Sequence, residues 1–443
     1  MKNVLFIAYY FPPIGGAGVQ RSLKFVRYLP EHGFLPIIVT GPGVPGDRWA
    51  PADEALLEEI PSNIPIYRIQ NDAPPPRGSL LGRLERWFAI PSGFSRWWIN
   101  SIIKFGNKAC IEKEVKLIYV SMSPFESANA AVYLSNKLRI PWVADLRDPW
   151  ALDEKQIYPT YLHRRLEMSR MRSLLSNASA IIMSTPEASA VLKKSFPYFQ
   201  KKVVVSITNG FDSEDFSRGV AARADTKFRI VHAGTLHTDS GFSLKRRRQL
   251  HSILGGVEKD VDILTLSHVV LMGAIEQWVR DDPSVTDKLE LIFVGSVSEA
   301  DKAYTEKSTA ANLIHFTGFL SHIESLNFVR TADLLFLPMF NLPPGKRTTI
   351  VPGKTYEYMA SGRPILAAVP DGDARDWLEQ CGTAFVCRPD DVEGMLKNIR
   401  IVYKAWQNGE RLRAIDRDFI NQFDRKRLTQ RLSAEFDKVL GSG

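Results

Sequence analysis

Cysteine is scarce in this chain: Cys110, Cys381 and Cys387 are the three among 443 residues. Their odd number and spacing exclude a disulfide framework and a zinc finger, and fit buried thiols in a reducing, cytoplasmic compartment. Long apolar runs are missing too. No stretch reaches the length needed to span a bilayer, and Met1-Lys2-Asn3 leads directly into the strand-like Val4–Ala8 without a signal peptide. Histidines lack metal-ligand spacing, and there is no sequence repeat or low-complexity tract. Negative charge is in the minority: 57 lysines and arginines against 49 acidic residues give a formal charge of +8. That balance favours nucleotide phosphates or an anionic membrane surface as partners. Nucleic acid ranks last, because no nucleic-acid module motif accompanies the charge.

What is present is the composition of a soluble globular protein, 44% hydrophobic and 24% charged, in a chain too long for one ordinary core. Apolar strand-like runs alternate with amphipathic helical stretches, the pattern of parallel α/β units. The first series of strands reads at Val4–Ala8, Leu35–Thr40, Leu117–Ser121, Trp142–Asp145, Ala180–Ser184 and Val203–Ile207. The second reads at Arg229–Ala233, Leu289–Val294, Leu313–Phe316, Leu334–Pro338 and Ile365–Ala368. Two series predict two doubly wound, Rossmann-like domains: 1–210, then a hinge or linker at 211–226, then 227–410. Residues 411–443 are expected as helices crossing back to the first domain, ending in an unstructured Gly441-Ser-Gly tail. Ligands in open α/β sheets sit beyond the carboxyl ends of the strands, so a cleft between the two domains is the expected site.

The most informative stretch is Val351-Pro-Gly-Lys-Thr-Tyr-Glu-Tyr-Met-Ala-Ser-Gly-Arg-Pro364. A Pro-Gly turn at a helix start offers free N–H groups and the positive end of the helix dipole, an anion site. Gly353 and Thr355 belong to that turn, Lys354 adds a point charge for phosphate, and Glu357, one turn on, can accept from the hydroxyl pair of a ribose. The combination suits a sugar nucleotide. The competing reading makes Lys354 and Glu357 solvated helix charges.

Other glycine loops follow strands. Tyr9-Tyr-Phe-Pro-Pro-Ile-Gly-Gly-Ala-Gly18 ends the first strand, and Gly15 and Gly16 permit positive φ and close approach to a ligand. Gly16-Ala-Gly-Val-Gln-Arg21 nearly makes a dinucleotide fingerprint, but Arg21 occupies its third glycine position. A formal match at 41–46 is a decoy, because Pro42 and Pro45 remove amides that phosphate binding needs. An NAD-dependent enzyme is therefore disfavoured. In the second half, Gly234 and Thr235 end a strand as candidates to approach a phosphate. Asp145, Arg147 and Asp148 end the strand at Trp142, where Asp148 either accepts from an acceptor hydroxyl, with Arg147 keeping it ionised, or forms a salt-bridged strand cap. Residues 77–116 are basic and aromatic (Arg77, Arg83, Arg86, Trp87, Phe88, Arg96, Trp97, Trp98), either a membrane-surface face or tryptophans packed inside the domain. Lys245-Arg-Arg-Arg248 is either a solvated helix start or a source of cations for a diphosphate.

Together these motifs resemble the family 4 glycosyltransferases, retaining enzymes of the GT-B fold. The resemblance is carried by Phe11-Pro-Pro-x-Gly-Gly with Arg21, Leu29-Pro-Glu-His-Gly33 before Ile37-Ile-Val-Thr40, Asn209-Gly-Phe-Asp212, Phe293-Val-Gly295, Phe316-Thr-Gly318 and Lys354–Pro364. It implies donor binding by the C-terminal domain and acceptor binding by the N-terminal one. Glu357 matches the second glutamate of the family's E-x7-E motif, expected at the donor ribose, whereas the first is Thr349 here. The family's frequent active-site histidine is replaced at Arg147-Asp148, and the usual Gly-Arg-Leu is Gly234-Thr-Leu236, so the resemblance shifts the diphosphate-binding arginine to Arg248.

The expected function is transfer of a sugar from a nucleotide-diphosphate sugar to a saccharide or lipid-linked hydroxyl acceptor, in cell-surface polysaccharide or glycoconjugate assembly. Amides at Gly15, Gly16, Gly234 and Gly353, with Lys354 and an arginine, would stabilise charge on the departing diphosphate, and no metal or other cofactor is expected. Catalytic roles fall to Asp148, Arg147 and Lys354, donor binding to the glycines, Thr235, Arg248, Thr355 and Glu357. Alternatives are a sugar-nucleotide epimerase of the same fold and a catalytically silent nucleotide-sugar-binding subunit.

Overall fold

The computed structural model describes residues 1–45, 51–69, 87–88, 92–217, 219–220, 223, 225–256, 258, 260–410, 412 and 414–441, without the side chains of 17 and 246–252. Within them the chain forms two units. The first gathers Met1–Asn209, Ile253–Val257 and Arg425–Gly443; the second gathers Gly210–Ser252 and Glu258–Asp424.

The first unit is built on seven strands: β1 (Lys2–Ala8), β2 (Phe34–Thr40), β3 (Ile66–Arg68), β4 (Leu117–Met122), β5 (Trp142–Leu146), β6 (Ala180–Met183) and β7 (Val204–Ser206). Their order is β3-β2-β1-β4-β5-β6-β7, parallel in every described pair. The near-continuous apolar runs follow from this: a parallel sheet is covered by helices on both faces, so both side-chain rows of β1 and β4 are buried. One face packs against the helices Gly93–Glu112, Ser127–Leu138 and Tyr161–Leu175. The other packs against Ala17–Tyr28 and the C-terminal helix Arg425–Gly441, with Leu428, Leu432 and Phe436 buried among residues of β1 and β4.

The second unit has six strands: β8 (Phe228–Ala233), β9 (Leu289–Val294), β10 (Ile314–Gly318), β11 (Leu334–Pro338), β12 (Ile365–Ala368) and β13 (Ala384–Cys387). Their order is β10-β9-β8-β11-β12-β13, again parallel. In each sheet the chain first winds outward from its first strand and then restarts on the other side, so a topological switch lies between β1 and β4 and between β8 and β11. Backbone turns leaving in opposite directions open a crevice there, at the carboxyl ends.

All eleven expected strands are present, with shifts of a residue or two at their ends. Two were not expected, β3 and β13. Both are short edge strands: β3 is exposed or half-buried throughout, and β13 is an apolar run of four residues. The expected linker at 211–226 contributes Phe211 to the core of the second unit, with its N–H on Phe423 O at 3.2 Å. Residues 411–424 group with the second unit, and 425–443 with the first. All three cysteines are free and buried. Burial pushes the Cys110 and Cys387 thiols up to about 12.

Within the basic and aromatic segment, Trp98 is fully buried and donates its indole N–H to Ser127 Oγ at 2.8 Å, while Arg96 is exposed. Packing inside the domain thus accounts for Trp98. Trp87 and Phe88 are exposed instead. Arg77, Arg83 and Arg86, and Gly46 of the decoy loop, lie outside the described residues.

Candidate functional site

At the switch point of the second sheet, Gly234 and Lys354, two of the sequence-predicted site residues, come together. β8 ends at Ala233, and Gly234 follows at φ 125°, a conformation that strains any residue with a side chain. A Cβ added to Gly234 would lie 2.5 Å from Lys354 Nζ, so the glycine is needed to let the lysine pass over the strand end. Lys354 opens the helix Lys354–Ser361. One turn further along it, Tyr358 accepts the Ala233 N–H on its hydroxyl at 2.7 Å, fixing the helix to the end of β8. Gly295, immediately after β9, is also at positive φ, and its absent Cβ would meet Gly234 O at 2.8 Å.

Lys354 Nζ lies 3.2 Å from His232 Nε2. His232 Nδ1 is 3.0 Å from Phe336 O. A carbonyl only accepts, so Nδ1 carries the imidazole proton and Nε2 presents a lone pair to the ammonium. Burial drives the His232 pKa well below the ordinary histidine value, reinforced by the Lys354 charge, so the ring is neutral. Burial also lowers Lys354 to about 7, partly opposed by Glu357. The lysine is therefore poised between charge states, and an arriving anion would hold its proton.

Glu357 Oε1 lies 3.0 Å from His322 Nε2, and His322 Nδ1 is 4.0 Å from Asp215 Oδ2. His322 sits in the first turn of the helix His322–Thr331, started by a capping box between Ser321 and Glu324. With no metal-ligand spacing among the histidines, neither His322 nor His232 stood out in the sequence as a functional residue. The Ser321-His-Ile-Glu324 capping signal locates His322 at a helix start. Nothing in the local sequence marks His232 as the partner of Lys354, since 122 positions separate them.

The glycine amides do not act as expected. Gly234 N–H is donated to Val294 O at 2.7 Å, and Gly15 N–H to Pro51 O at 2.7 Å. Both are committed to the backbone and are not donors to a ligand, and Gly234 gives clearance instead. Gly16, at φ 93°, is the residue before the helix Ala17–Tyr28. Gly353 has helical φ and ψ of −55° and −37°, so the helix is entered without a special turn, and the space beside it is open. Among the described residues, the amides of Thr235, Gly353 and Lys354 donate to no protein group. Thr355 is fully buried, and its N–H is given to Pro352 O at 3.0 Å. Thr349, at the position of the missing glutamate, is buried as well. Arg248 lies in the helix Thr238–Ile253, and its side chain falls outside the described ones.

In the first unit, Asp145 is fully buried and makes a bidentate pair with Arg21, at 2.7 and 2.8 Å, while also accepting from the Tyr119 hydroxyl. Arg21 further donates to Thr208 O at 2.7 Å and Ile207 O at 2.9 Å. This satisfied network joins β5, the Ala17–Tyr28 helix and the segment after β7, so Asp145 and Arg21 hold the unit together. Arg147 was expected to keep Asp148 ionised; its guanidinium is instead held by Met122 O at 3.3 Å and by Gly18 O. Asp148 is half-buried and, among the described residues, joins no hydrogen bond or ion pair.

Residues 265–405, all within the second unit, match the family model described as Glycosyl transferases group 1. The matched stretch, about a third of the chain, includes Lys354, Glu357 and His322. No curated protein matches the sequence. Among solved structures, HepE of Anabaena in complex with UDP-glucose is similar at 16% identity over 99% of this chain and 100% of that one, with a TM-score of 0.61. Sucrose-phosphate synthase from Thermosynechococcus elongatus is similar at 13% identity over 100% of both chains, with a TM-score of 0.66. The UDP-GlcNAc 2-epimerase of Neisseria meningitidis bound to UDP-GlcNAc reaches 10% identity over 100% of both chains, with a TM-score of 0.51. At these identities the likeness is one of fold, the two Rossmann-like units of the GT-B class.

Proposed function

We propose that this chain is a retaining glycosyltransferase of the family 4 type, moving a sugar from a nucleotide-diphosphate sugar to a hydroxyl acceptor. The observation that carries the reading is the placement of Lys354: its ammonium crosses Gly234 at the switch point of the second sheet, at the start of a helix. Glu357 lies one turn beyond it. In glycosyl transfer the sugar becomes oxocarbenium-like while the diphosphate gains negative charge. The ammonium, the free amides of Thr235, Gly353 and Lys354, and the helix dipole form a fixed positive region for that charge. Such a region can replace a divalent metal, and activity is expected to survive chelation. Glu357 accepts from the ribose hydroxyls, with His322 orienting its carboxylate. Arg248 remains in the proposal as a further cation for the diphosphate.

Same-face attack, with the leaving phosphate as base, gives the retained configuration. Asp148, carrying no partner among the described residues, is the proposed contact for the acceptor hydroxyl, and Arg147 shapes the loop beside it. The acceptor class is a saccharide or lipid-linked glycan of cell-surface polysaccharide or glycoconjugate assembly, acted on in the cytoplasm.

UDP-glucose is the first probe because the similar HepE structure holds it. Calorimetry with UDP-glucose and other nucleotide sugars should find at least one ligand bound by the wild type and weakened in Lys354→Ala and Glu357→Ala. Unchanged affinity in both variants would remove the assignment. The fold likeness to a UDP-GlcNAc 2-epimerase makes epimerisation the second reading. Incubating labelled donor without acceptor separates the two: an epimer supports the second reading, and sugar released or transferred with its anomeric configuration retained supports the first. Tight binding without either product marks a silent binding subunit.

A further inference from the structure

Exposed apolar side chains are concentrated on one part of the first unit. Among the described residues, eight of the nineteen large apolar side chains that face solvent fall in 87–88, 157–166 and 253–254. These segments touch. The rings of Trp87 and His163 are 5.6 Å apart, and His163 Nε2 lies 2.7 Å from Trp87 O. Tyr161 N–H donates to Leu254 O at 2.8 Å, and a Cβ on Gly255 would sit 3.0 Å from that of Tyr161. Ile253 is 82% exposed, Phe88 66%, Leu162 63% and Trp87 54%, values a soluble surface does not collect in one place without use.

The charge around this patch selects its partner. The helix Tyr161–Leu175 carries Arg164, Arg165, Arg170 and Arg172 against one carboxylate, Glu167. That carboxylate is already engaged by the Trp150 indole at 2.6 Å and by Arg170 at 3.7 Å. Arg165 and Arg172 are exposed, Arg165 lying over the Tyr161 ring at 5.9 Å. Tryptophan and tyrosine beside arginine, with protruding aliphatic side chains, match the headgroup layer of a bilayer: rings and aliphatics enter the acyl boundary while guanidinium groups meet phosphate. A second copy of the chain fits poorly, because a two-fold interface would set these arginines against each other.

We infer that the face formed by the start of the Tyr161–Leu175 helix, Trp87, Phe88 and Ile253 docks on an anionic lipid surface. This does not depend on the sugar-transfer reading. The test is co-sedimentation of the full chain with vesicles of phosphatidylcholine alone or containing about a third phosphatidylglycerol. The wild type should bind the anionic vesicles, bind neutral ones weakly, and be released as ionic strength rises to about 0.5 M. Arg165→Glu with Arg172→Glu should weaken anionic-vesicle binding about tenfold or more. The triple variant Trp87→Ser, Phe88→Ser, Leu162→Ser should also lose binding, with an unchanged melting temperature showing that the fold is intact. Absence of wild-type binding, equal binding to both vesicle types, or variants that sediment like the wild type would overturn the inference. A dimer by light scattering that the triple variant converts to monomer would give the face to a second copy and overturn it equally.

Discussion

His232 and Lys354 form a part-buried pair in which a neutral imidazole holds an ammonium: Nε2 accepts from Nζ at 3.2 Å because Nδ1 is given to Phe336 O. The lysine pKa is lowered to about 7 by burial, so near neutrality a small gain in favourable charge decides its protonation. A bound diphosphate supplies that gain. Binding should then take up a proton once the pH exceeds about 7, and donor affinity should fall toward about tenfold per pH unit between about pH 7 and 9. Calorimetry of the bound nucleotide sugar in buffers of different ionisation enthalpy reads the proton directly. Affinity flat across that range, with no buffer dependence, would mean that the Lys354 ammonium does not meet the phosphates.

The same pair predicts a conflict between stability and function. Lys354 has a lowered pKa in the folded state, so the unfolded chain binds more protons between about pH 7 and the ordinary lysine value near 10.4. Stability from this group is therefore present above that window and is lost as pH falls through it. Lys354→Met should raise the denaturation midpoint near neutral pH, lose the gain near about pH 10, and abolish donor binding. A midpoint shift of the same size at both pH values would show that the lysine carries no buried-charge cost.

His232→Ala should cost about 2–3 kcal/mol, because it opens a cavity and orphans the Phe336 carbonyl. It should also weaken donor binding by releasing Lys354 from its place over Gly234. Denaturant unfolding and calorimetry on the same preparation check both. A destabilised protein with wild-type affinity would limit His232 to a packing role.

Much of this was legible in the chain. Eleven strands could be read because parallel strands buried on both faces leave uninterrupted runs such as Val4–Ala8 and Leu334–Pro338. β3 escaped because its three residues are exposed or half-buried, and β13 because its apolar run is only four residues long. The Lys354-to-Glu357 spacing on a helix after Pro352 was likewise visible, since local backbone chemistry is written locally. What could not be read was which groups were already spoken for. The Gly15 and Gly234 amides looked available, yet Pro51 and Val294, remote in sequence, occupy them. Arg147, adjacent to Asp148 in sequence, is held by Met122 O and Gly18 O, and the carboxylate of this strand that does hold an arginine is Asp145, paired with Arg21 across 124 positions. Long-range pairing of polar groups leaves no local periodicity.

Arg21 tests that structural assignment. Arg21→Met removes one half of a buried ion pair and leaves Asp145 uncompensated, which should destabilise the first unit by about 3–5 kcal/mol. Donor affinity, which the proposed function assigns to the second unit, should be unchanged in the fraction that remains folded. Unfolding followed by tryptophan fluorescence, alongside calorimetry, separates the two. Lost donor binding with intact stability would move Arg21 from the scaffold to the site.

Gly234→Ala isolates steric clearance from charge. The new methyl would be placed 2.5 Å from Lys354 Nζ and 3.0 Å from its Cε, on a backbone with φ 125°. The positive φ costs about 1–2 kcal/mol for a non-glycine residue, and the lysine must leave the strand end. Donor affinity should therefore fall although every charged side chain is kept, toward the loss expected of Lys354→Ala. The double variant Gly234→Ala, Lys354→Ala should bind little worse than either single one, since both remove the same contact. Additive losses in calorimetry would show that Gly234 contacts the ligand on its own account, through a route other than admitting the lysine.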